Sequence, residues 1–250
     1  MTPFHALVLA GSRGGADPVA EAAGVAHKAL IRLQGRTLLE RVVTTLRAAG
    51  AQRIAVSAND PQVREAAIAL GAEVLQAAGG PSLSVEQGAQ ALGFPLLVTT
   101  CDHALLEPAW VQQFLADAPR DAEICALLAE RAVVESAAPS TKRTYLRLAD
   151  GWWSGCNLFW LATPTALRAV DFWKRLEAER KRPWRMAAIL GPGMLMAFLA
   201  RRLTLTVAVA RLGRIAGVKA AAVSSPYGLA AVDVDKPADL ELVRRIVGDP

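Results

Sequence analysis

The chain has 250 residues, of which 53% are hydrophobic and 20% charged, and its formal net charge is +5. A chain this apolar can bury a large core, which excludes a globally disordered protein. Its three cysteines show no C-x-x-C spacing, which excludes a disulfide framework and a zinc ribbon. No stretch reaches the ~20 apolar residues of a membrane-spanning helix, and residues 1–5 lack the basic start of a secretory signal. We therefore predict a cytoplasmic α/β protein with a single domain over residues 1–250.

The first half of the chain alternates short strand and helix patterns. Apolar runs predict strands at 6–10, 53–57, 73–76 and 96–100. Helical spacing, prolines in first turns and glycine stops predict helices at 37–49, 61–71, 84–92 and from 108 onward. Ser84 with Gln87 has the pattern of a capping box at the start of the third helix. This alternation predicts a mostly parallel central sheet with helices on both faces.

The second half is less regular. We predict strands at 124–128, 144–148, 158–161, 204–210, 218–223 and 230–234. Helices are predicted at 165–181 and from Pro237 to the C-terminus. An apolar run at 186–200 is divided by the sequence Gly-Pro-Gly at 191–193.

The positive charge is concentrated in one segment. Residues 165–225 contain 12 lysines and arginines against 3 acids, so this segment carries +9 and the rest of the chain −4. We interpret it as a basic helical elaboration near the C-terminus. Its part at 180–202, with basic residues and a tryptophan around an apolar run, is compatible with peripheral contact to an anionic membrane at its inner face. A buried helix pair with a basic rim, which we favour, and a dimer interface are the alternatives. No nucleic-acid-binding module is recognisable, so we expect no nucleic-acid partner.

A glycine-rich loop follows the first predicted strand. It includes Ala10, Gly11, Ser12 and Gly14. Glycines let the backbone approach a phosphate, and Lys28 further along could neutralise its charge. The loop has neither the G-x-G-x-x-G pattern nor a Walker A motif, so a plain strand-to-loop turn is the alternative.

Carboxylates follow two of the predicted strands. Asp102 comes after the fourth strand, and Asp233 and Asp235 alternate just before the last helix. Two strand-end carboxylates that converge from distant parts of a chain can hold Mg²⁺ beside substrate phosphates. A helix N-cap is the alternative role for Asp235. Lys142 and Arg143 could anchor a phosphate of a second substrate, or form a solvated charged loop.

Four motifs in chain order resemble the MobA-like nucleotidyltransferases. They are L-A-G-S-R-G with H-K-A-L between Leu9 and Leu30, Q-G-R-T-L-L-E-R at 34–41, T-T-C-D-H-A-L-L at 99–106 and V-D-V-D-K-P-A-D-L at 232–240. The resemblance implies a Rossmann-like nucleotidyltransferase fold. It also implies transfer of a nucleoside monophosphate from an NTP, with CTP or GTP expected, to a small phosphorylated acceptor, with release of pyrophosphate.

The resemblance also assigns roles to individual residues. Ala10, Gly11, Ser12 and Gly14 would hold the nucleotide's phosphates, with Lys28 against the α-phosphate. Pro81, Ser82 and Ser84 would lie against the base or ribose, Asp102 and Asp235 would bind Mg²⁺, and Gly155 and Asn157 would contact the acceptor.

One position departs from the family pattern. The family's loop arginine falls at Ala16 here, and Arg13 is the candidate to replace it. We therefore predict Lys28, Arg13 and Asp102 as the catalytic residues of an enzyme that is a monomer or a homodimer. A non-catalytic nucleotide-binding or membrane-associated homologue is the alternative.

Overall fold

The computed structural model of the chain describes residues 3–12, 14–15, 17–139, 141, 143–179, 189 and 191–249. Its strands are β1 (Phe4–Leu9), β2 (Arg32–Leu33), β3 (Arg36–Thr37), β4 (Ala51–Ala58), β5 (Glu73–Gln76), β6 (Leu96–Thr100), β7 (Ile124–Glu130), β8 (Leu146–Leu148), β9 (Gly151–Leu161) and β10 (Ala220–Ser225).

The α-helices of the described residues follow in chain order. They are α1 (Pro18–Ala22), α2 (Leu38–Ala48), α3 (Pro61–Ala69), α4 (Pro81–Leu92), α5 (Pro108–Asp117), α6 (Arg131–Ala137), α7 (Leu167–Glu179), α8 (Pro192–Leu199), α9 (Leu205–Ala216) and α10 (Pro237–Val247). Short 3₁₀ turns lie at Lys28–Leu30, Pro164–Ala166 and Gly228–Ala231.

The central sheet has eight strands and is mostly parallel, as predicted. Its order is β10-β7-β9-β6-β1-β4-β5, and β8 pairs with β9 at one end. β1 pairs in parallel with β4 and β6, and β7 pairs in parallel with β10. Among the described strands of this sheet, the long strand β9 runs antiparallel to its neighbours β6, β7 and β8, so β6 and β7 are parallel to each other. The C-terminal ends of the parallel strands therefore meet at one edge, which we call the carboxyl edge.

Apolar side chains on the two faces of the sheet form separate clusters. One cluster packs α2, α3, α5 and α10 against the sheet and includes the fully buried Phe4, Leu39 and Phe114. The other packs α4 and α7 against the opposite face and includes Leu7 and Val98. Consecutive side chains of β1 are thus buried on opposite faces of the sheet, as expected for a strand covered on both faces.

The predicted strand at 204–210 is wrong, because this segment forms helix α9. Its threonines, valines and alanines alternate like a strand. However, Leu205, Ala208 and Gly213 are buried on one side of the helix, at helical spacing. The Thr204 side chain accepts a hydrogen bond from Val207 N at 3.4 Å, and Gly217 ends the helix with a φ of 75°. A threonine cap and a glycine stop therefore mark both ends of this helix.

The predicted strand at 230–234 and the capping box at Ser84 are also wrong. A 3₁₀ turn ends at Ala231, and the segment after it makes no strand ladder. Helix α4 starts at Pro81, three residues before the predicted cap, and the Ser84 hydroxyl instead accepts a hydrogen bond from Ala78 N at 3.0 Å. Proline suits the first turn of a helix because its missing N–H has no partner there.

Candidate active site

The predicted polar groups meet where β1 and β6 end at the carboxyl edge. Leu9 and Thr100 are paired residues of these neighbouring strands, and Cys101 N donates a hydrogen bond to the Leu9 carbonyl at 3.0 Å. The glycine-rich loop and Asp102 therefore leave the sheet side by side. Two segments that are about 90 residues apart in sequence form one surface.

Asn59 holds the glycine-rich loop. Ser12 N donates to Asn59 Oδ1 at 2.9 Å, and Asn59 Nδ2 donates back to the Ser12 carbonyl at 3.0 Å. Gly14 adopts a φ of 75°, a conformation that L side chains rarely adopt. A Cβ at Gly11 would lie 3.0 Å from the Cβ of Ala77. The loop is thus pinned to the ends of β4 and β5 while Gly11 and Ser12 stay exposed.

Lys28 is the centre of a charge cluster. Its ammonium contacts Asp102 Oδ2 and lies 3.2 Å from Asp235 Oδ1. The Asp102 side chain is 6% exposed and that of Asp235 57% exposed, so the cluster runs from the protein interior to its surface. Two carboxylates and one ammonium give the cluster a net charge of −1.

Backbone contacts hold the three charged groups in place. The buried His27 accepts a hydrogen bond from Ala29 N through Nδ1 at 3.0 Å, which caps the short turn that carries Lys28. Val234 N donates a hydrogen bond to the Asp102 carbonyl at 3.1 Å, so the motif at 232–240 lies against the motif at 99–106. Asp239, and not Asp235, caps helix α10, because it accepts from Lys236 N at 2.9 Å. The Asp235 side chain is thereby left to face Lys28.

Burial and mutual charge set the pKa values in this cluster. Burial would raise the pKa of Asp102, but the charge and hydrogen bond of Lys28 hold it below its ordinary value. Burial would lower the pKa of Lys28, and the Asp102 carboxylate raises it instead. Both groups are therefore ionised at neutral pH. Burial also lowers the pKa of the neighbouring His103 to about 4, so that imidazole is neutral.

A second polar group lies beside the cluster and involves the predicted acceptor contacts. The Asp233 carboxylate contacts the Arg143 guanidinium and accepts a hydrogen bond from Asn157 Nδ2. Asn157 has a φ of 50°, at the irregularity where β9 loses register with β7. Burial raises the pKa of Asp233, while Arg143 acts in the opposite direction. Arg143 is therefore a fixed, partly buried cation and not part of a solvated loop.

Helix α4 begins shortly after β5, whose following residue Ala77 lies against Gly11 of the glycine-rich loop. Ser82 and Ser84 are buried and Pro81 occupies the first turn. The structure thus places these three predicted nucleotide contacts at a helix N-terminus, where backbone N–H groups favour anions. Gly155 is exposed on β9, and a Cβ there would meet no atom within 4 Å.

The donor set fits one magnesium ion. Among the described residues, no group of three or more His, Cys, Asp or Glu side chains could hold a metal on its own. Magnesium needs fewer protein ligands, because it binds one or two carboxylates together with waters and substrate phosphates. The buried Oδ1 of Asp102 has no hydrogen-bond partner among the described residues, which leaves a lone carboxylate oxygen for such a ligand.

Several predictions fall on residues that the structure does not describe. Arg13, Ala16 and Lys142 are outside the described residues, as are 180–188 and 190 in the predicted membrane-contact segment. The described end of that segment, helix α8, exposes Met196 and Leu199. Across the described part of the chain, no helix is long and apolar enough to cross a membrane.

Two organising residues, Asn59 and Asp239, were not identified from the sequence, and Asp233 was noted as a carboxylate without its contacts. Asn59 pins the glycine-rich loop, Asp233 joins Arg143 to Asn157, and Asp239 caps α10. The spacing of Asp239 from the helix start is a capping signal that could have been found. Asn59 acts across the fold, and no local pattern marks it. Asp233 stood out by its alternation with Asp235, but its contacts with Arg143 and Asn157 join distant parts of the chain.

A glycine-rich loop, a lysine and two converging carboxylates at one sheet edge are compatible with a site for nucleotidyl transfer. The chain belongs to the family of MobA-like NTP transferase domains, whose model matches residues 6–180. It is therefore a nucleotidyltransferase with the Rossmann-like fold of that family.

Solved structures agree with this assignment. The chain is similar to a hypothetical transferase from Thermus thermophilus, with 35% identity over 96% of this chain and all of that one, at a TM-score of 0.83. A 2-C-methyl-D-erythritol 4-phosphate cytidylyltransferase from the same organism shares 15% identity, with 99% of this chain and 100% of that one covered and a TM-score of 0.54. A nucleotidyl transferase from Methanothermobacter shares 19% identity, with 97% and 96% covered and a TM-score of 0.56. The last two show a common fold alone. No match was found among the curated proteins.

Proposed function

We propose that this nucleotidyltransferase transfers a nucleoside monophosphate from an NTP, CTP or GTP, to a small phosphorylated acceptor, in the presence of Mg²⁺ and with release of pyrophosphate. The observation that carries the proposal is the contact of one ammonium, Lys28, with both Asp102 and Asp235. These groups come from three distant parts of the chain and meet beside a glycine-rich loop. Such a cluster suits phosphoryl chemistry, which depends on positioning and charge neutralisation.

The reaction needs little covalent chemistry from the protein. An oxygen of the acceptor phosphate attacks the α-phosphorus of the NTP, a new P–O bond forms, and the bond to the β-phosphate oxygen breaks. Pyrophosphate leaves with the electron pair of that bond. The acceptor phosphate is already ionised at neutral pH, so no general base is required.

The cluster residues have distinct roles in this proposal. Asp102 and Asp235 would hold Mg²⁺, which supplies charge neutralisation for the phosphates when it is bound. Lys28 keeps both carboxylates together and offers its ammonium to the α-phosphate as charge develops there. The backbone of Ala10, Gly11 and Ser12 would bind phosphate oxygens.

The acceptor would be bound beside the second polar group. Asn157, which belongs to this group, and Gly155 both lie on β9, and Asp233 accepts a hydrogen bond from Asn157. Arg143 contributes a positive charge near the acceptor, and its pairing with Asp233 fixes its position. A phosphate that approaches from this side would meet the cluster around Lys28.

Calorimetric titration with CTP, GTP, ATP and UTP, with and without Mg²⁺, tests the proposal. We expect one nucleotide to bind in a Mg²⁺-dependent manner and Asp102→Asn to weaken that binding at least tenfold. Asp121→Asn is the matched control, because Asp121 is exposed and precedes β7 at the opposite edge of the sheet. Binding of no nucleotide, or equal binding to both variants, would contradict the proposal.

We also propose, as a separate property, peripheral contact of the segment 180–202 with anionic lipid, in place of the buried helix pair favoured from the sequence, because no side chain of α8 is buried. It is motivated by the exposed apolar residues of α8 and by Arg201 and Arg202 directly after it. Flotation with anionic and neutral vesicles at low salt measures it. Failure to bind anionic vesicles would refute the lipid contact and leave the transferase proposal unaffected.

A further inference from the structure

A long apolar groove lies under helix α7, on the face of the sheet that carries α4 and α9. Its volume is about 300 Å³, within the range of small-molecule sites. Residues of β6, β7, β9 and β10 form its floor, and residues of α4, α7 and α9 form its walls. We call this the α7 groove.

Phe159 on the floor of the groove is unusually accessible for its place in the fold. It lies on β9, between Val98 of β6 and Ala126 of β7, in the middle of the sheet. Even so, 42% of it is exposed. Trp173 on α7 also lines the groove and is 55% exposed. Large aromatic side chains in such positions are ordinarily buried, because removing their surface from water stabilises a protein.

Small side chains create the space in front of Phe159. Ala126 and Ala221 lie on neighbouring strands of the floor, and Ala169 and Ala216 project from the helices above. Larger apolar residues at these positions would fill the groove as they fill an ordinary core. The groove is therefore built into the packing between the helices and the sheet.

The lining selects an apolar ligand. Among the described residues, Ser82 and Glu177 are the hydroxyl-bearing and charged side chains of the groove. Ser82 lies in the first turn of α4, and Glu177 Oε2 lies 3.7 Å from where a Cβ of Gly80 would be, just before α4. A polar or charged ligand placed deeper would lose its hydration without gaining hydrogen bonds, which is costly. A hydrocarbon chain would lose nothing polar and would cover Phe159.

The groove reaches residues that adjoin the candidate active site. It includes Leu9, the last residue before the glycine-rich loop, and Ser82 at the start of α4. Phe159 is two residues beyond the predicted acceptor contact Asn157 on the same strand, a distance of about 7 Å along β9. A ligand could therefore have its polar end at the carboxyl edge and its apolar end in the groove.

From this arrangement we infer that the acceptor is amphipathic, a phosphate carried on an alkyl or isoprenoid chain, and that the chain binds in the α7 groove. The inference deepens the proposed function and rests on it for the phosphate end. The groove itself, its apolar lining and the exposed Phe159 do not depend on the nucleotide chemistry.

Binding of alkyl phosphates tests the inference. Decyl phosphate, kept below its micelle concentration, and ethyl phosphate are titrated into the protein by calorimetry and by tryptophan fluorescence, to which Trp173 contributes. We expect decyl phosphate to bind at least tenfold more tightly than ethyl phosphate. Ala126→Leu narrows the groove from its floor and Ala169→Leu narrows it from α7. Each variant should bind decyl phosphate at least tenfold more weakly than the wild type.

The controls separate this inference from the proposed function. Ala132→Leu adds the same side chain on the exposed face of α6 and should bind decyl phosphate like the wild type. Melting temperatures identify any variant that does not fold, and the other groove variant then carries the test. Equal binding of the two alkyl phosphates, or equal decyl phosphate binding by groove variants and wild type, would overturn the inference even where Mg²⁺-dependent NTP binding is intact. If the protein is a homodimer and the groove variants dissociate it, the groove binds a second copy of the chain, and this result would also overturn the inference.

Discussion

The two ends of the candidate site are built differently. The half that we propose to bind the nucleotide, residues 3–12 and 17–117, contributes parallel strands to the central sheet, and its glycine-rich loop and Asp102 follow directly after strands. We call it the nucleotide half. In the acceptor half, residues 124–179 and 191–235, the antiparallel strand β9 is inserted between β6 and β7. Its polar contacts join residues far apart in sequence, such as Arg143 and Asp233.

The difference matters for how each half recognises a ligand. The nucleotide half presents backbone groups of a glycine-rich loop and a helix N-terminus, which suit phosphates of any nucleotide. The acceptor half presents a fixed cation, an amide and the apolar α7 groove. Specificity for the acceptor is therefore expected to depend on side chains, and phosphate binding on the backbone.

The largest expected effect is on the charge cluster that joins the halves. Lys28→Met removes the ammonium between Asp102 and Asp235, so that the two carboxylates repel each other. Charge neutralisation at a reacting phosphate contributes several kcal/mol, so transfer should slow by more than about 10²-fold. Pyrophosphate release measures the rate. Lys219→Met, at an exposed lysine beside Asp121, is the control and should leave the rate unchanged. Equal rates in the two variants would show that Lys28 takes no part in the reaction.

A smaller effect is expected where the acceptor half is held together. Asp233→Asn removes the anionic partner of Arg143, whose side chain is 11% exposed. Leaving one charge of a buried pair without its partner costs about 3 kcal/mol in the free energy of unfolding. Urea denaturation measures this loss. Arg143→Met combined with Asp233→Leu should recover part of it, and a double variant no more stable than Asp233→Asn would contradict a buried ion pair.

The packing of the turn before Asp233 gives a further prediction. A Cβ at Gly228 would lie 2.2 Å from the carbonyl oxygen of Val133, so Gly228→Ala must displace the backbone of α6. Such overpacking costs about 1–3 kcal/mol. Gly193→Ala is the matched control, because no atom lies within 4 Å of a Cβ there and its φ is not positive. Equal melting temperatures for the two variants would show that α6 moves to accommodate the added Cβ without loss of stability, which would contradict the prediction.

The smallest effect is expected at the cysteines, which occur in both halves. Burial raises the pKa of Cys125 to about 11 and that of Cys156 to about 12, and Cys101 is buried as well. A thiol reagent at pH 8 should therefore modify none of the three in the folded protein and all of them in denaturant. Rapid labelling of a native cysteine, followed by mass spectrometry, would show that its surroundings open.

The sequence predicted the nucleotide half more completely than the acceptor half, and the reason is physical. In the nucleotide half the strand, turn and helix signals are consecutive, so Asp102 and the loop from Ala10 to Gly14 could be placed at strand ends by local patterns. Lys28 and Asp235 were also singled out from local patterns, and the family resemblance assigned their roles, but their contact with each other is a property of the folded chain.

The acceptor half depends on contacts that local patterns do not encode. The alternation at 204–210 matched a strand, and the helix there is fixed by its caps and by burial of Leu205 and Ala208. The α7 groove arises from small residues on separate elements, which sequence spacing does not bring together. Tertiary packing overrides local propensity in such regions.

Binding of Mn²⁺ together with a nucleotide is the most direct test of the central claim that Asp102 and Asp235 hold a divalent cation beside an NTP. Mn²⁺ takes the oxygen ligands that suit Mg²⁺, and electron paramagnetic resonance measures its free concentration. We predict one Mn²⁺ per chain in the presence of the preferred NTP, with affinity lost at least tenfold in both Asp102→Asn and Asp235→Asn and retained in Asp121→Asn. Absence of Mn²⁺ binding with all four nucleotides, or binding that is unchanged in both site variants, would contradict the claim.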